Sequence, residues 1–440
     1  MLSLRYGNSV IMKKKVTKQI FADIMGTSKR VVESWVKSGR LLTVHDDKTG
    51  IEYIAESSLK NFKELNFLFD DLWNEFSQIT PSRNYNIIEL FAGCGGLALG
   101  LENAGFKSVL VNEIDKDASD TLKLNRPEWN VINKDISEVS FTEYKNKIDM
   151  ISGGFPCQAF SYAGNKLGFN DTRGTLFYEF ARAVKEVEPK IFVAENVRGL
   201  SSHDNGRTLE TIRSVIKELD YELVAEEVLK AIFYRVPQKR ERLILVAVRK
   251  DLAPFVRFNF PPKFNQIYTL GDALKSGVLY NQDVPQSEGQ SYPKRKEEIM
   301  SLVPQGGYWR DLPDELQREF MKGSYYLSGG KTGVARRLSW DEPSLTLTCA
   351  PAQKQTERCH PVETRPLTVR EYARIQTFPD SWEFCGKQTS QYKQIGNAVP
   401  VNLGHAIGLS LVKLLNDIES SDLKTELPIV ESNGQIRFRV

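Results

Sequence analysis

The sequence predicts an α/β protein, and three observations support that fold class. Short apolar segments alternate with amphipathic helical segments from about residue 86 onward, which is the pattern of strands and helices in an open sheet. The first apolar segment runs into a glycine-rich turn over residues 91–96. Later segments end in Asp135, Cys157 and Glu195. Since ligands bind at the carboxyl ends of strands in such sheets, we expect a ligand crevice along one edge.

The composition is that of an ordinary soluble protein. The chain has 440 residues, of which 41% are hydrophobic and 26% charged, and its net charge is only +3, so about three domains are expected. The five cysteines lack paired spacing, and Cys359-His360 beside Cys349 fits no usual zinc pattern. We see no signal peptide and no stretch long enough to span a membrane. A cytoplasmic protein with no metal site and no membrane partner is therefore expected.

Residues 1–40 differ from the rest of the chain in charge. They hold nine Lys and Arg residues against two acids, an asymmetry typical of proteins with a polyanionic partner, although a solvated surface would look the same. Apolar residues at helical spacing predict one short helix over residues 17–25 and a second that Ser28 caps, with a glycine turn between them.

These two helices resemble the helix-turn-helix of DNA-binding regulators. Lys29, Arg30 and Lys37 would lie exposed on the second helix and contact DNA. A β-wing is expected over residues 42–53, and a further helix over residues 57–78. The alternative is a helical hairpin that packs on the main domain.

The glycine-rich turn at residues 91–96 predicts a nucleoside-binding loop. Gly93, Gly95 and Ala98 match the spacing of the dinucleotide fingerprint, and Glu113 follows at the end of the next strand, where an acid can bind ribose hydroxyls. The pattern is typical of a Rossmann-like domain. It does not separate NAD or FAD from S-adenosylmethionine.

Cys157 is the candidate nucleophile of the crevice. Gly153 and Gly154 turn the chain sharply at a strand end, and Pro156 fixes the backbone just before the thiol. The thiol is therefore expected to point outward, where it can react. For this cysteine taken by itself, a buried structural role is the alternative.

Arg240 and Arg242 precede a strand predicted over residues 243–248 and fall on one strand face by alternation. Arginines beside an apolar strand are expected to have anionic or carbonyl partners, although a solvated edge is the alternative. A capped helix within residues 365–379 and a closing helix that ends near residue 415 follow later in the chain.

Between these parts, residues 258–360 are rich in turns, and basic residues occur there among aromatic ones. Such a mixture suits a surface that grips a nucleic-acid backbone, although an irregular lid would share it. The residues that form this pattern are Lys294, Lys296, Arg336 and Arg337 with Tyr308, Trp309, Tyr325, Tyr326 and Trp340.

Taken together, these motifs resemble the DNA (cytosine-5)-methyltransferases of bacterial restriction–modification systems over residues 86–416. Each motif alone could arise by chance, but they occur in the family's order along the chain. The motifs are Phe91-Ala-Gly-Cys-Gly-Gly96, Gly154-Phe-Pro-Cys157, Glu195-Asn-Val197, Gln238-Lys-Arg-Glu-Arg242, Arg365 to Pro379 and Gln394-Ile-Gly-Asn397.

The resemblance implies S-adenosylmethionine as the methyl donor. Glu113 would bind its ribose hydroxyls, and Asp135 with Ile136 would meet its adenine. Two positions depart from the family pattern, since Glu89 stands where Asp is usual and Ile114 where an aromatic residue often stands. The positions that match cofactor contacts are Phe91, Gly93, Cys94, Gly96, Glu113, Ile114, Asp135, Ile136, Pro156, Leu176 and Asn397.

The resemblance also assigns catalytic and DNA-binding groups. Cys157 would add to carbon 6 of a cytosine flipped out of double-stranded DNA, Glu195 would hold N3 and the amino group, and Arg242, with Arg240 nearby, would bind the carbonyl oxygen. The loop over residues 158–173 would clamp the flipped base. The expected DNA contacts are Gln158, Ser161, Arg173, Gln238, Thr346 and Leu347, with Lys29, Arg30 and Lys37 in the amino-terminal region.

Three alternatives stay open at this point. The tRNA-modifying branch of the same family shares the chemistry, but its usual Cys-Phe-Thr stretch is absent. An NAD or FAD oxidoreductase would leave Cys157 and Glu195 unexplained, and a non-enzymatic DNA-binding regulator would need only the amino-terminal helices. For the leading interpretation, the resemblance implies a short palindromic target, and residues 340–348 suggest a length of four or five base pairs.

The expected domain organisation has the amino-terminal domain as a separable unit. This domain would lie outside the crevice and bind the promoter of its own restriction–modification genes, and the enzyme would be monomeric. The expected boundaries are an amino-terminal DNA-binding domain over 1–80, a catalytic and cofactor-binding domain over 86–257, a target-recognition domain over 258–360, a return to the catalytic domain over 361–416 and a tail over 417–440.

Overall fold

The computed structural model describes residues 14–47, 49–155, 175–329 and 331–420, together with two short strands near the carboxyl terminus. Its centre is a seven-stranded sheet in the order β5-β4-β3-β6-β7-β10-β8. The first five strands are parallel, and β10 runs antiparallel to both β7 and β8. The strands are β3 (Tyr85–Leu90), β4 (Phe106–Asn112), β5 (Val131–Ile132), β6 (Met150–Gly153), β7 (Ile191–Val197), β8 (Tyr221–Lys230) and β10 (Glu241–Arg249).

Both faces of this sheet are covered, which confirms the α/β expectation. Alternation along β3 sends Ile87 into one apolar core with α5 and α14, and Ile88 into a second core with α7 and α8. The helices are α5 (Gly96–Asn103), α6 (Lys116–Asn125), α7 (Leu176–Val187), α8 (Arg207–Glu218), α12 (Val369–Ile375), α13 (Gln388–Asn397) and α14 (Val401–Glu419).

Glycines allow α5 and α14 to approach each other closely. A Cβ on Gly100 would lie 2.6 Å from the backbone nitrogen of His405, and one on Gly408 would lie 2.6 Å from Cβ of Ala104. Residues 388–419 are long and apolar enough to cross a membrane by length and composition, but 78% of their most apolar window is buried inside the protein. This segment is a core element of the fold.

The amino-terminal region contains the two predicted helices and the predicted wing. Thr17 and Ser28 cap the helices with their hydroxyls, and Gly26 adopts a left-handed conformation (φ 66°) at the turn between them. A single helix over residues 57–78 is wrong, because the chain leaves helical conformation at Phe62 and at Asp70. The elements are α1 (Lys18–Met25), α2 (Lys29–Lys37), β1 (Thr43–Asp46), β2 (Ile51–Ile54), α3 (Glu56–Leu59), a 3-10 helix (Lys63–Phe69) and α4 (Leu72–Phe76).

This region does not have a core of its own. Its apolar residues belong to the same cluster as α5 and α14. Phe67 packs edge-on against Phe233 at 5.3 Å between ring centroids, and Trp73 packs against Phe264 at 5.6 Å. The structure thus agrees with the alternative in which these helices pack on the main domain.

Residues 258–360 are irregular, as expected, with a small core around Met300 and Trp309. Two of the basic residues that suggested a DNA-gripping surface, Lys296 and Arg337, have internal partners, while Lys294 is exposed. Arg337 is 3% exposed and donates hydrogen bonds to five backbone carbonyls, and Lys296 forms an ion pair with the buried Glu357. These side chains hold turns together. The regular elements are α9 (Leu270–Leu274), α10 (Lys294–Ser301), α11 (Asp314–Met321) and β11 (Ser344–Leu345), which pairs with β9 (Gln238–Lys239).

Candidate active site

The candidate site lies where β3, β4, β6 and β7 end and β10 begins. Since β10 is antiparallel to β7, its first residues reach the same edge, and Arg242 pairs with Val197. The crevice predicted from the strand ends is therefore present. Gly154 and Phe155 lead into it, while Pro156, Cys157, Gln158, Ser161 and Arg173 lie outside the described residues.

The glycine loop after β3 is tied to the end of β4 by Glu113. The N–H of Gly93 donates to Oε2 of Glu113 at 2.6 Å, and the N–H of Asp115 donates to Oε1 at 2.7 Å. Gly93 (φ 57°) and Gly95 (φ 88°) adopt left-handed conformations that favour glycine. Burial raises the pKa of Glu113 above its usual range. The buried carboxyl group of Glu113 thus holds the glycine loop in one conformation.

Two residues of this loop have packing roles. The thiol of Cys94 is fully buried and contacts the carbonyl oxygen of Gln394 at 3.4 Å, and burial raises its pKa. A Cβ on Gly96 would lie 2.2 Å from the carbonyl oxygen of Val399. Cys94 can therefore offer a ligand only its backbone, and Gly96 lets α5 begin against the chain before α14.

The other predicted cofactor residues surround the glycine loop. Ile114 is 63% exposed beyond the end of β4, whereas Ile136 is buried. Asp135 accepts hydrogen bonds from the N–H and the hydroxyl of Ser137. Leu176 begins α7, and the side-chain oxygen of Asn397, at the end of α13, lies 3.2 Å from the thiol of Cys349. An exposed apolar side chain beside a glycine cradle suits the flat ring of a nucleoside.

Glu195 and Arg242 form a buried ion pair at the β7–β10 edge. Nε of Arg242 lies 2.5 Å from Oε1 of Glu195, and both residues are 9% exposed. A Cβ on Gly154 would lie 2.6 Å from Oε2 of Glu195, so glycine is needed there for the carboxylate to keep its place. This pair confirms the expectation of an anionic partner for Arg242.

Glu89 lies on the same sheet face as Glu195. In the sequence, this residue stood out only because the family usually has Asp at its position. It is 1% exposed and accepts a hydrogen bond from the hydroxyl of Ser152 on β6. Burial raises the pKa of Glu89 to about 8, and the nearby charge of Glu195 adds to that rise. A carboxyl group with a raised pKa therefore lies on the same sheet face as the Glu195–Arg242 pair, with β6 between them.

The raised pKa makes Glu89 a source of pH-dependent stability. Its folded-state pKa of about 8 exceeds the ordinary 4.5, so the folded state binds the extra proton, and this stabilisation is lost as pH rises through 8. Glutamine cannot ionise. We therefore expect the Glu89→Gln variant to be more stable than the wild type at pH 9, by about a few kcal/mol, which is the size that the shift in the Glu89 pKa implies. The advantage should shrink towards pH 5. Urea unfolding at both pH values measures it, and an advantage of equal size at both would contradict the assignment.

Arg240 is buried more deeply than Arg242. It is 1% exposed, and its guanidinium donates to the carbonyl oxygens of Leu347, Gly396 and Asn397 at 3.0–3.3 Å. Burial, with the neighbouring charge of Arg242, lowers its pKa to about 9. The carbonyl partners expected for this arginine are thus present. Arg240 joins the start of β10 to the segment 258–360 and to α13.

Gln238 is likewise internal, which does not fit the predicted DNA contact. It is fully buried, its Nε2 donates to Gln376 at 2.9 Å, and its Oε1 accepts from the N–H of Leu347 at 2.9 Å. Leu347 is 1% exposed, so its side chain is also unavailable to DNA. Alternation of polar residues in the sequence could not reveal this cross-domain pairing.

A cavity of about 370 Å³ opens beside the ion pair. Arg240 and Arg242 line it, as do Thr346 of the segment 258–360 and Asp23 of α1. The expectation that the amino-terminal region stays away from the crevice is therefore wrong. Lys29, Arg30 and Lys37 of α2 are exposed, as predicted. Within the described parts of the chain, no group of three or more His, Cys, Asp or Glu residues could hold a metal ion.

Comparisons with known proteins agree with this geometry. The model of the family described as C-5 cytosine-specific DNA methylase matches residues 85–413. The Type II methyltransferase M.Eco47II of Escherichia coli is 62% identical over 408 residues, which cover 93% of this chain and 98% of that protein. M.PspPI of Psychrobacter is 58% identical over 397 residues, covering 90% of this chain and 95% of that protein.

A solved structure is also similar. A prophage-encoded DNA modification methyltransferase of E. coli superposes with a TM-score of 0.58 at 25% identity, covering 76% of this chain and all of that chain. The match to M.Eco47II leaves out only 7% of this chain, the part beyond the 93% covered, which is less than the amino-terminal 80 residues. That relative therefore shares part of the amino-terminal region.

Proposed function

Because the chain belongs to the C-5 cytosine-specific DNA methylase family, we propose that Cys157 is its nucleophile and that Glu195 and Arg242 hold the target cytosine. The protein is a DNA (cytosine-5)-methyltransferase of the restriction–modification kind, which uses S-adenosylmethionine and acts on double-stranded DNA. The sequence prediction is thereby confirmed over the tRNA-modifying, oxidoreductase and non-enzymatic alternatives. The single observation that carries the residue assignment is the buried Glu195–Arg242 pair at the strand edge into which residues 154–155 lead.

S-adenosylmethionine supplies the methyl group, and the residues around the glycine loop fit its nucleoside. Glu113 would accept hydrogen bonds from the ribose hydroxyls while keeping its hydrogen bonds to the glycine loop. Ile114, which is 63% exposed, would pack on the adenine, with Ile136 beneath it. Asp135 would meet the adenine edge. Phe91, Gly93, Cys94 and Gly96 would contribute through the loop, and Pro156, Leu176 and Asn397 would close the far side.

The side chains explain how an unreactive carbon becomes nucleophilic. Carbon 5 of cytosine does not take a methyl group unaided, so the Cys157 thiolate adds to carbon 6 and forms a carbon–sulfur bond. Glu195 hydrogen-bonds to N3 and the amino group, and proton sharing there relieves the charge that develops on the ring. Arg242 binds the carbonyl oxygen. Carbon 5 would then take the methyl group, which leaves the donor as a neutral thioether. A base would remove the proton from carbon 5, and the thiolate would leave carbon 6 as the ring double bond returns.

A cytosine inside a duplex cannot reach this site. We propose that the base is flipped out of the helix and that the loop over residues 158–173, with Gln158, Ser161 and Arg173, closes over it. Thr346, which lines the cavity beside Arg242, would contact the DNA near the target. Gln238, Leu347 and Arg240 are buried and would support this surface without contacting the DNA. We further propose a monomeric, cytoplasmic enzyme with a palindromic target of four or five base pairs.

The function is tested with purified protein and labelled S-adenosylmethionine. We expect label to enter duplex DNA, and bisulfite sequencing of DNA from expressing cells should show one protected cytosine within one short sequence. Protection spread over unrelated cytosines, or label found only in RNA, would contradict a site-specific DNA methyltransferase.

Target choice should follow the recognition domain. Exchanging residues 258–360 for those of a relative with a different target should move the methylated sequence and leave dependence on S-adenosylmethionine unchanged, because the cofactor residues and the Glu195–Arg242 pair lie outside the segment. Sequencing of methylated sites measures the change. A folded chimera that keeps the original target would place specificity elsewhere in the chain.

A further inference from the structure

The first amino-terminal helix, α1, borders the cavity beside Arg242. Asp23 of α1 lines the same cavity as Arg242. Its carboxylate lies 2.7 Å from Nζ of Lys239, and Nζ of Lys230 donates to its backbone oxygen at 3.3 Å. One end of α1 is thus fixed to the last residues of β8 and β9, which precede Arg242 in the chain.

This attachment is rigid as well as close. The apolar side chains within the range 14–79 belong to the same core as α14 and the β8–β10 region. The contact between Phe67 and Phe233 is part of this core. A domain held by a continuous core keeps a fixed orientation relative to the site. Whatever nucleic acid α2 binds must therefore be compatible with the position of the catalytic crevice.

The positive residues of α2 lie within reach of DNA in that crevice. A Cβ on Gly26, at the α1–α2 turn, would lie 3.8 Å from Nζ of Lys230, which also lines the cavity. Lys29 follows three residues later, so its Cα lies within about 11 Å of that of Gly26. At 3.4 Å per base pair, this separation is about three base pairs of duplex.

The charges of α2 are free to meet phosphates. Lys29, Arg30 and Lys37 are exposed, and none of them forms an ion pair with any residue that the structure describes. Of the basic residues that line the cavity, Lys239, Arg242 and Arg198 form ion pairs with Asp23, Glu195 and Glu241, while Lys230 and Arg240 donate to backbone carbonyl oxygens. The three residues of α2 add exposed positive charge that no described carboxylate compensates.

We propose that α2 binds the sugar–phosphate backbone of the same duplex whose cytosine enters the active site, a few base pairs from the target. This inference rests on the proposed function of the crevice. It makes the amino-terminal region part of the enzyme's DNA grip. A separate promoter site, bound independently of methylation, is the competing outcome of the test.

The test compares two charge variants of the full chain that lose three positive charges each. The test variant carries Lys29→Ala, Arg30→Ala and Lys37→Ala. The control carries Lys107→Ala, Lys217→Ala and Lys250→Ala, which are also exposed but lie at the opposite edge of the sheet, where β4 begins and β10 ends. Circular dichroism verifies that both fold.

Each protein is assayed for kcat/KM on a duplex of about 12 base pairs and on one of about 30, both centred on the target, lengths chosen from the 3.4 Å rise per base pair. We expect the wild type and the control to prefer the longer duplex by about tenfold and the test variant to lose that preference. The salt slope of binding to the long duplex should fall by about three in the test variant, about one per lost phosphate contact.

The outcomes distinguish a failure of the shared-duplex assignment from a failure of the proposed function on which it rests. A test variant that keeps the long-duplex preference and the salt slope would overturn the shared-duplex assignment, and so would unchanged methylation combined with lost binding to a promoter fragment. If instead the wild type methylates neither duplex, the proposed function itself fails. Binding measured with Cys157→Ala, which needs no turnover, still reports the salt slope of the amino-terminal contact.

Discussion

Replacing Cys157 by alanine should abolish methyl transfer and leave DNA binding largely intact. The thiolate forms the covalent bond that makes carbon 5 of cytosine nucleophilic, and no other described cysteine can substitute for it. Cys94 and Cys359 are buried, and Cys349 and Cys385 lie on other segments. Burial also raises the pKa of the Cys94 thiol, which keeps it protonated. The loss should therefore appear in turnover and not in affinity.

A covalent trap sharpens this prediction. With S-adenosylmethionine present, duplex DNA with 5-fluorocytosine at the target should form a complex with the wild type that survives denaturing electrophoresis, since after methyl transfer the fluorine at carbon 5 cannot leave as a proton does. Cys157→Ala should form none, whereas Cys349→Ala, at the exposed cysteine, should still form it. Methylation by Cys157→Ala at a rate comparable to that of the wild type would show that the nucleophile is another residue.

The sheet and its crevice could be predicted because they depend on local patterns. Alternating apolar segments fixed the positions of β3, β4, β7 and β10 to within a few residues, and polar residues at their ends indicated a shared edge. A partner for Arg242 could be predicted because an arginine without one is unfavourable beside an apolar strand. Glu195 fulfils that expectation at 2.5 Å.

Contacts between distant segments could not be predicted in the same way. Arg240 and Arg242 are two residues apart in the sequence, yet one faces three carbonyls of other segments and the other a carboxylate. Arg337 looked like a DNA-binding residue and instead satisfies buried turns. Charge in a sequence indicates that a partner exists, but only the fold decides whether that partner is internal or external.

The amino-terminal region shows the same limit at the scale of a domain. The helices, the cap at Ser28 and the wing are local features and were predicted. The docking of Phe67 and Trp73 on the main domain depends on apolar side chains separated from their partners by more than a hundred residues. Its consequence is functional, because docking brings Asp23 to the cavity and makes a shared duplex the natural partner of α2.

Glu195→Gln should lower turnover by about a hundredfold or more, the range expected when a proton-handling group is lost. An amide keeps the shape of the carboxylate and can still accept the hydrogen bond from Arg242. It carries no negative charge and cannot share a proton with N3 of the cytosine, so the charge that develops on the ring during thiolate addition is no longer relieved. KM for DNA should change much less than kcat.

The same substitution distinguishes chemistry from structure when it is paired with a control. Glu222→Gln changes an exposed glutamate at the start of β8, on the opposite edge of the sheet, and should leave both kcat and the melting temperature near wild-type values. If Glu195→Gln folds normally and turns over within about threefold of the wild type, Glu195 has no part in proton handling. A large fall in kcat with an unchanged affinity for duplex DNA is the expected result, because the carboxylate acts on the ring only after the base has entered the site.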